Sequence, residues 1–203
     1  MAQAKVTRKE ILLRLSQDLE DKDIVVAALA GTTNECFHTM HRPMNLYLVG
    51  MGMVTPVAFG LARALPHRRV IALDTDGSQL LSPSILPVVG AYKPKNLCIV
   101  VFDNEHLYGT RGGPASQTAY GTELAVLAQG AGVVACSTVE SAAAFASEFS
   151  KFISGGGPAE IVCKVEPRYE RGKGPNFNGQ ENKFRFVRLI EETEGIKILE
   201  GAV

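Results

Sequence analysis

Asp76, Gly77 and Ser78 place a carboxylate, a flexible backbone step and a hydroxyl in succession, and Asn104 adds a side-chain carbonyl oxygen past the next apolar run. Hard oxygen donors drawn sparingly from two loops suit Mg2+ when the ion also holds a diphosphate. Gly77 lets backbone N–H groups approach phosphate oxygens closely. The bland alternative makes Asp76-Gly77 a turn and Asn104 a cap. Two more stretches have the same character, "GTTNE" at 31–35 and "GMGMV" at 50–54, and "DNEH" at 103–106 surrounds Asn104.

Each stretch follows an apolar run of strand length, at 24–29, 46–49, 70–73 and 97–102, and two further runs lie at 132–136 and 161–165. Such continuous hydrophobicity suits strands covered on both faces. Helical patterns at 54–64, 84–91, 121–129 and 141–152 alternate with them, and residues 1–21 read as a charged amphipathic helix. The expected fold is α/β: a doubly wound, mostly parallel sheet with helices on both faces, forming one domain over 1–203. Ligands of such sheets bind outside the carboxyl ends of the strands at a topological switch point, so the four polar stretches read as one rim. The Gly- and Asn-rich segment 170–180 is expected to be a mobile loop, and 184–192 a strand or a helix. "GMGMVTPVAFG" also nearly matches a dinucleotide fingerprint with Asp74 as ribose ligand, but Thr55 and Pro56 stand at its third glycine and Asp76 would go unused.

Lys plus Arg and Asp plus Glu are both 21, which gives no basic surplus for nucleic acid. Apolar residues make up 46% and charged residues 21%, as in a globular chain, and no apolar stretch has membrane-spanning length. Cys36, Cys98, Cys136 and Cys163 lack metal-site spacing and read as free thiols of a cytoplasmic protein. His38, His41 and His67 read as surface or loop residues, and Glu35 and Glu105 as solvated rim acids. Without further information Met51 reads as core.

Asp76-Gly77-Ser78, a helix, the turn "KPKNL", an apolar strand and Asp103-Asn104 together resemble the thiamine-diphosphate motif. "DIVVAALAGTTNECF", "MNLYLVGMGMVTPVAFGLARALPHRRVIALDTDGS" and "NLCIVVFDNEHLYGTRGGPASQT" follow in order the pattern of sulfopyruvate and phosphonopyruvate decarboxylases, over roughly residues 7–165. The resemblance is to their diphosphate-binding (PP) domain, and most of all to the separate β-subunit type in which that domain stands alone. It implies thiamine diphosphate and Mg2+ as cofactors. Asp76 and Asn104 would hold the metal by their side chains and His106 by its backbone carbonyl. Gly77, Ser78 and Thr33 would contact the diphosphate. Met51, between Gly50 and Gly52, would bend the cofactor, and the Val49 carbonyl would accept its aminopyrimidine amine. Gly109, Arg111, Gly112 and Gly113 would border the substrate, with Arg111 a possible anion contact. Thr75 departs from the motif's first glycine, and Pro87 sits in a helix that is usually proline-free.

No catalytic residue is assigned within the chain. The resemblance implies an activating glutamate from a pyrimidine-binding (PYR) domain on a separate α-type subunit. It also implies a homo-oligomer acting on a small 2-oxo acid. The expected function is therefore the cofactor-binding subunit of a 2-oxo acid decarboxylase. A subunit of a thiamine-dependent 2-oxo acid oxidoreductase and a non-catalytic nucleotide-binding module are the alternatives.

Overall fold

The computed structural model describes residues 6–109, 113–168, 172 and 174–199. Among these, β1 (Ile24–Ala28), β2 (Asn45–Val49), β3 (Val70–Thr75), β4 (Leu97–Asp103), β5 (Ala135–Val139) and β6 (Ala159–Lys164) form one sheet in the order β2-β1-β3-β4-β6-β5. Every pairing is parallel. Strand residues alternate between two cores, as the pleat requires. Val25, Ala27, Ile71, Leu73, Cys98 and Val100 meet α1 (Arg8–Ser16), α2 (Gly31–Met40) and α7 (Ala142–Gly155) on one face. Ile24, Val26, Val70, Ala72, Ile99 and Val101 meet α3 (Val54–Ala64), α5 (Ile85–Tyr92), α6 (Leu124–Gly130) and α8 (Gly179–Glu194) on the other. This is the doubly wound α/β fold.

The order reverses direction at β1. The chain leaves β1 through α2 to reach β2 on one side, then returns through α3 to β3 on the other. The loops after β1 and β3 therefore part toward opposite faces and leave a crevice at the carboxyl edge. The short helix α4 (Asp76–Gln79) starts directly at the end of β3.

Among the boundaries that differ from the sequence reading, three stand out. The stretch 31–35 is the first turn of α2, not a loop; its N-cap is Ala30, which has no side-chain cap, so the usual start signal is missing. β5 begins three residues after its expected start because Gly132, at φ +94, turns the chain there. Residues 184–192 belong to α8, which begins inside the expected loop with a reciprocal capping box between Asn178 and Glu181. Part of that loop, 170, 171 and 173, lies outside the described residues. The N-terminal helix has its own capping box between Thr7 and Glu10, and Pro87 falls in the first turn of α5, where no intrahelical N–H is lost. The four cysteines are free thiols, and burial pushes the Cys36 thiol up to about 12. Among the described residues no helix is long and apolar enough to cross a membrane.

Candidate functional site

A cavity of about 190 Å³ opens at the switch point. Its walls come from the end of β1 and start of α2, the turn after β2, the β3–α4 junction, the loop after β4, and Arg8 of α1. Met51, Asp76, Gly77, Asn104 and His106 all line it. Backbone strain concentrates at the same rim. Ala30, Glu105 and Tyr108 hold left-handed φ values of 60, 62 and 62 without being glycine, a conformation that costs about 1 kcal/mol or more each and clusters at functional sites.

Asp76 is only 2% exposed. Ser116 Oγ donates to its Oδ2 at 2.5 Å, and Thr118 Oγ1 lies 3.3 Å from the same oxygen while donating to Asp103 Oδ1 at 2.8 Å. Lys164 Nζ pairs with Asp103 Oδ2 at 2.7 Å and lies 3.5 Å from Glu105. Burial pushes the Asp76 carboxyl above its ordinary value; the Ser116 hydrogen bond opposes this, and the Asp103 charge adds to it. A cation at Asp76 would relieve both penalties.

Thr75 explains the departure from the motif's first glycine. Its backbone is extended, φ −130, so no glycine is needed, and its hydroxyl caps α4 by accepting the Ser78 N–H at 3.3 Å. Gly77 itself sits close to the next loop: a Cβ there would meet Leu107 Cδ2 at 2.9 Å. Asn104 is buried, and its Oδ1 accepts the His106 N–H at 3.0 Å. The His106 ring folds back onto the Asn104 carbonyl, Nδ1 to oxygen 2.8 Å. Among the described residues no three His, Cys, Asp or Glu side chains cluster as a metal site. Asp76 and Asn104 supply two side-chain oxygens, a set that fits Mg2+ completed by phosphate oxygens and water.

The remaining expected residues are placed differently. Thr33 is fully buried and does not line the cavity; its hydroxyl donates to the Ala28 carbonyl (2.7 Å) and accepts the Leu48 N–H (2.9 Å), stitching β1 to β2. Thr32, one residue earlier on α2, faces the cavity instead. Ser78 is also fully buried, and its Oγ accepts the Gly52 N–H at 3.0 Å. That bond ties α4 to the turn after β2. In that turn Val49 O accepts from Leu29 N (2.9 Å) and Gly50 O from Met53 N (3.0 Å), while Gly52 takes φ +75. Met51 stands at the apex, 44% exposed, and so is not core. Gly109 ends a 3-10 turn that begins at Leu107, and Gly113 follows the gap; Arg111 and Gly112 lie outside the described residues.

The sequence reading missed Arg8, the Ser116–Thr118 pair and Lys164. Arg8 is 3% exposed, lies 3.3 Å by Nε from Glu35 Oε2, donates by Nη1 to Thr32 Oγ1 at 3.3 Å, and stacks 5.5 Å from the Phe102 ring. Glu35, expected to be solvated, is buried in this pair. Beneath α4, Gln79 Nε2 donates to Glu160 Oε2 at 2.7 Å, and neither partner's Oε1 has another hydrogen bond. Burial, reinforced by Asp74 and opposed by Gln79, pushes the Glu160 carboxyl up to about 8, so it is the neutral acid at pH 7. The helix expected over 1–21 already contained Arg8, but its place at the carboxyl edge is seen only from the bridge of Val6 to Val165.

Known proteins share this chain's pattern. The sulfopyruvate decarboxylase subunit beta of Methanocaldococcus jannaschii is 28% identical over 187 residues, covering 92% of this chain and 98% of that protein. A phosphonopyruvate decarboxylase of Streptomyces viridochromogenes is 28% identical over 189 residues, which span 92% of this chain but 47% of that protein. Among solved structures, the thiamine diphosphate-dependent 4-hydroxybenzoylformate decarboxylase of Rhodococcus jostii superposes with a TM-score of 0.69 at 23% identity. The match covers 82% of this chain and 34% of that one, a likeness of fold. Residues 26–163 match the family model for the C-terminal TPP binding domain of thiamine pyrophosphate enzymes, and the chain belongs to that family.

Proposed function

We propose that this chain is the thiamine-diphosphate- and Mg2+-binding subunit of a 2-oxo acid decarboxylase of the sulfopyruvate or phosphonopyruvate type, acting with a separate PYR-domain subunit. The observation that carries this reading is the convergence of Asp76, Gly77, Asn104, His106 and Met51 on one cavity at the switch point. Asp76 and Asn104 would hold Mg2+ by side-chain oxygens and His106 by its backbone carbonyl. Gly77, which has no side chain, leaves the backbone at the start of α4 free to meet the diphosphate. Ser116 and Thr118 orient the Asp76 carboxylate, and the Lys164 ammonium balances Asp103 behind it. Exposed Met51 would stand against the middle of the bound cofactor. When bound, thiamine diphosphate supplies the electron sink for the pair released as carbon dioxide leaves a 2-oxo acid. The substrate end lies toward Gly109 and Gly113.

The relatives and the surface support a partner. Relatives named as β subunits are matched over nearly their whole length, whereas the phosphonopyruvate decarboxylase relative is about twice as long. Leu29, Met51 and Tyr108 line the cavity and are exposed, and exposed Leu81 lies beside Gly52 in the turn after β2, the kind of apolar surface an interface covers. A partner there brings the activating glutamate, and buried free thiols suit a reducing cytoplasm.

Reconstitution tests the proposal. The purified chain should release no carbon dioxide from 2-oxo acids alone and should gain turnover with a PYR-domain partner chain. In that complex Asp76→Ala should abolish Mg2+-dependent thiamine-diphosphate binding by calorimetry. Turnover by the chain alone, or unchanged affinity in folded Asp76→Ala, overturns it.

A further inference from the structure

Arg8 and His106 are the only described residues lining the cavity whose side chains can carry positive charge. Arg8 is held in place from three sides. Glu35 stands beside its Nε, Thr32 accepts from Nη1, and the Phe102 ring lies under the guanidinium. An arginine and a glutamate both buried to this degree add little net stability, because desolvation offsets their attraction. Apolar side chains would hold α1 to α2 as well. A planar fork of donors beside a metal-ligand carboxylate serves a different purpose: it matches two oxygens of a phosphate at once.

We infer that Arg8 is a cofactor-binding residue that donates to the diphosphate of thiamine diphosphate, with Glu35 as its stand-in anion when the cofactor is absent. The inference rests on the proposed function, since it presumes that the cavity takes a metal diphosphate. A diphosphate carries more negative charge than one Mg2+ neutralises, and Asp76 adds another. The cavity therefore needs a second cation, and Arg8 is the one fixed on its wall beside Thr32, at the start of α2. Glu35 shares that cation in the unloaded protein, so cofactor binding must compete with the ion pair. The two members of the pair thus have opposite effects on affinity.

The test uses the complex with the PYR-domain partner, Mg2+, and two probes, thiamine diphosphate and inorganic pyrophosphate. Calorimetry gives Kd, and the ligand-induced rise in melting temperature gives a second readout. Arg8→Met should weaken both probes by about thirtyfold, the loss of a charge-assisted phosphate contact, and shrink the melting shift. Arg8→Lys should fall between. Glu35→Gln should bind both probes more tightly than wild type and show a larger melting shift. The KM for the 2-oxo acid at saturating cofactor should not change in any variant. Unchanged Kd in folded Arg8→Met overturns the inference, as does equal weakening by Arg8→Met and Glu35→Gln, which is the signature of a purely structural ion pair. A loss confined to the 2-oxo acid KM assigns Arg8 to substrate and also overturns it. If Arg8→Met does not fold, Arg8→Lys and Glu35→Gln decide by the same criteria. Wild type that binds neither probe defeats the proposed function as well; wild type that binds them beside an unaltered variant defeats this inference alone.

Discussion

Replacing Glu160 with glutamine should stabilise the protein, and the gain should grow with pH. The folded carboxyl keeps its proton up to about 8, against an ordinary value of 4.5. Between those values the folded state binds one more proton than the unfolded state, so stability is fully present below pH 4.5 and is lost as pH rises toward 8. At about 1.4 kcal/mol per pH unit, the accumulated loss at pH 7 is roughly 3 kcal/mol. Glutamine presents the same pattern to Gln79, one donor and one acceptor, with no proton to take up. Glu160→Gln should therefore match wild type near pH 4.5, exceed it by roughly 3 kcal/mol at pH 7, and level off above about pH 8. Urea denaturation followed by circular dichroism at several pH values measures this directly. A difference that does not vary with pH, or a variant less stable than wild type at pH 7, would show that Glu160 is ionised in the fold and that the Gln79 pairing is not that of a neutral acid.

Three further outcomes are expected. Met51→Ala should lower kcat of the reconstituted enzyme more than it weakens cofactor binding, and should move stability by less than about 0.5 kcal/mol because the side chain is exposed; a large fall in melting temperature would make Met51 a core residue. Lys164→Met should destabilise by roughly 3 kcal/mol in urea, since it leaves Asp103 buried beside Asp76 without its cation; a neutral result would refute the Lys164–Asp103 pair as a support of the fold. Gly90→Ala should destabilise by about 3 kcal/mol, because its Cβ would lie 2.1 Å from the Ala131 carbonyl oxygen where α5 meets the turn after α6; wild-type stability would refute that packing.

The sheet and its rim were legible because buried parallel strands are near-continuous apolar runs and the rim is where those runs stop. Val54–Ala64 is a helix at the residues its periodicity marks, and the ends of β3 and β4 present Asp76 and Asn104 to one cavity. What failed was direction at a resolution finer than an element. On a helix, neighbours point about 100° apart, so Thr32 faces the cavity while Thr33 is turned into the sheet. Reading 31–35 as a loop hid that difference. The Ser78 hydroxyl has its direction for a related reason: its short helix turns it back toward Gly52. Arg8, Ser116, Thr118 and Lys164 were invisible for a deeper reason. Each reaches the site by a contact far along the chain, such as Ser116 to Asp76, 40 residues apart, and no local pattern encodes such a meeting.

The order of the last strands also governs the sequence of assembly. β5 leaves the ribosome before β6, yet among the described residues its one neighbour in the sheet is β6, which slots between it and β4. The first four strands can pair once Asp103 has emerged, while β5 waits without a strand to join. When β6 arrives it does two things together: it anchors β5 and carries Lys164 to Asp103. A nascent chain halted before residue 164 would hold Asp76 and Asp103 side by side without their counter-ion. Completion of the cavity's charge balance is thereby coupled to completion of the sheet, and the cofactor can find a finished pocket only after the last strand is in place.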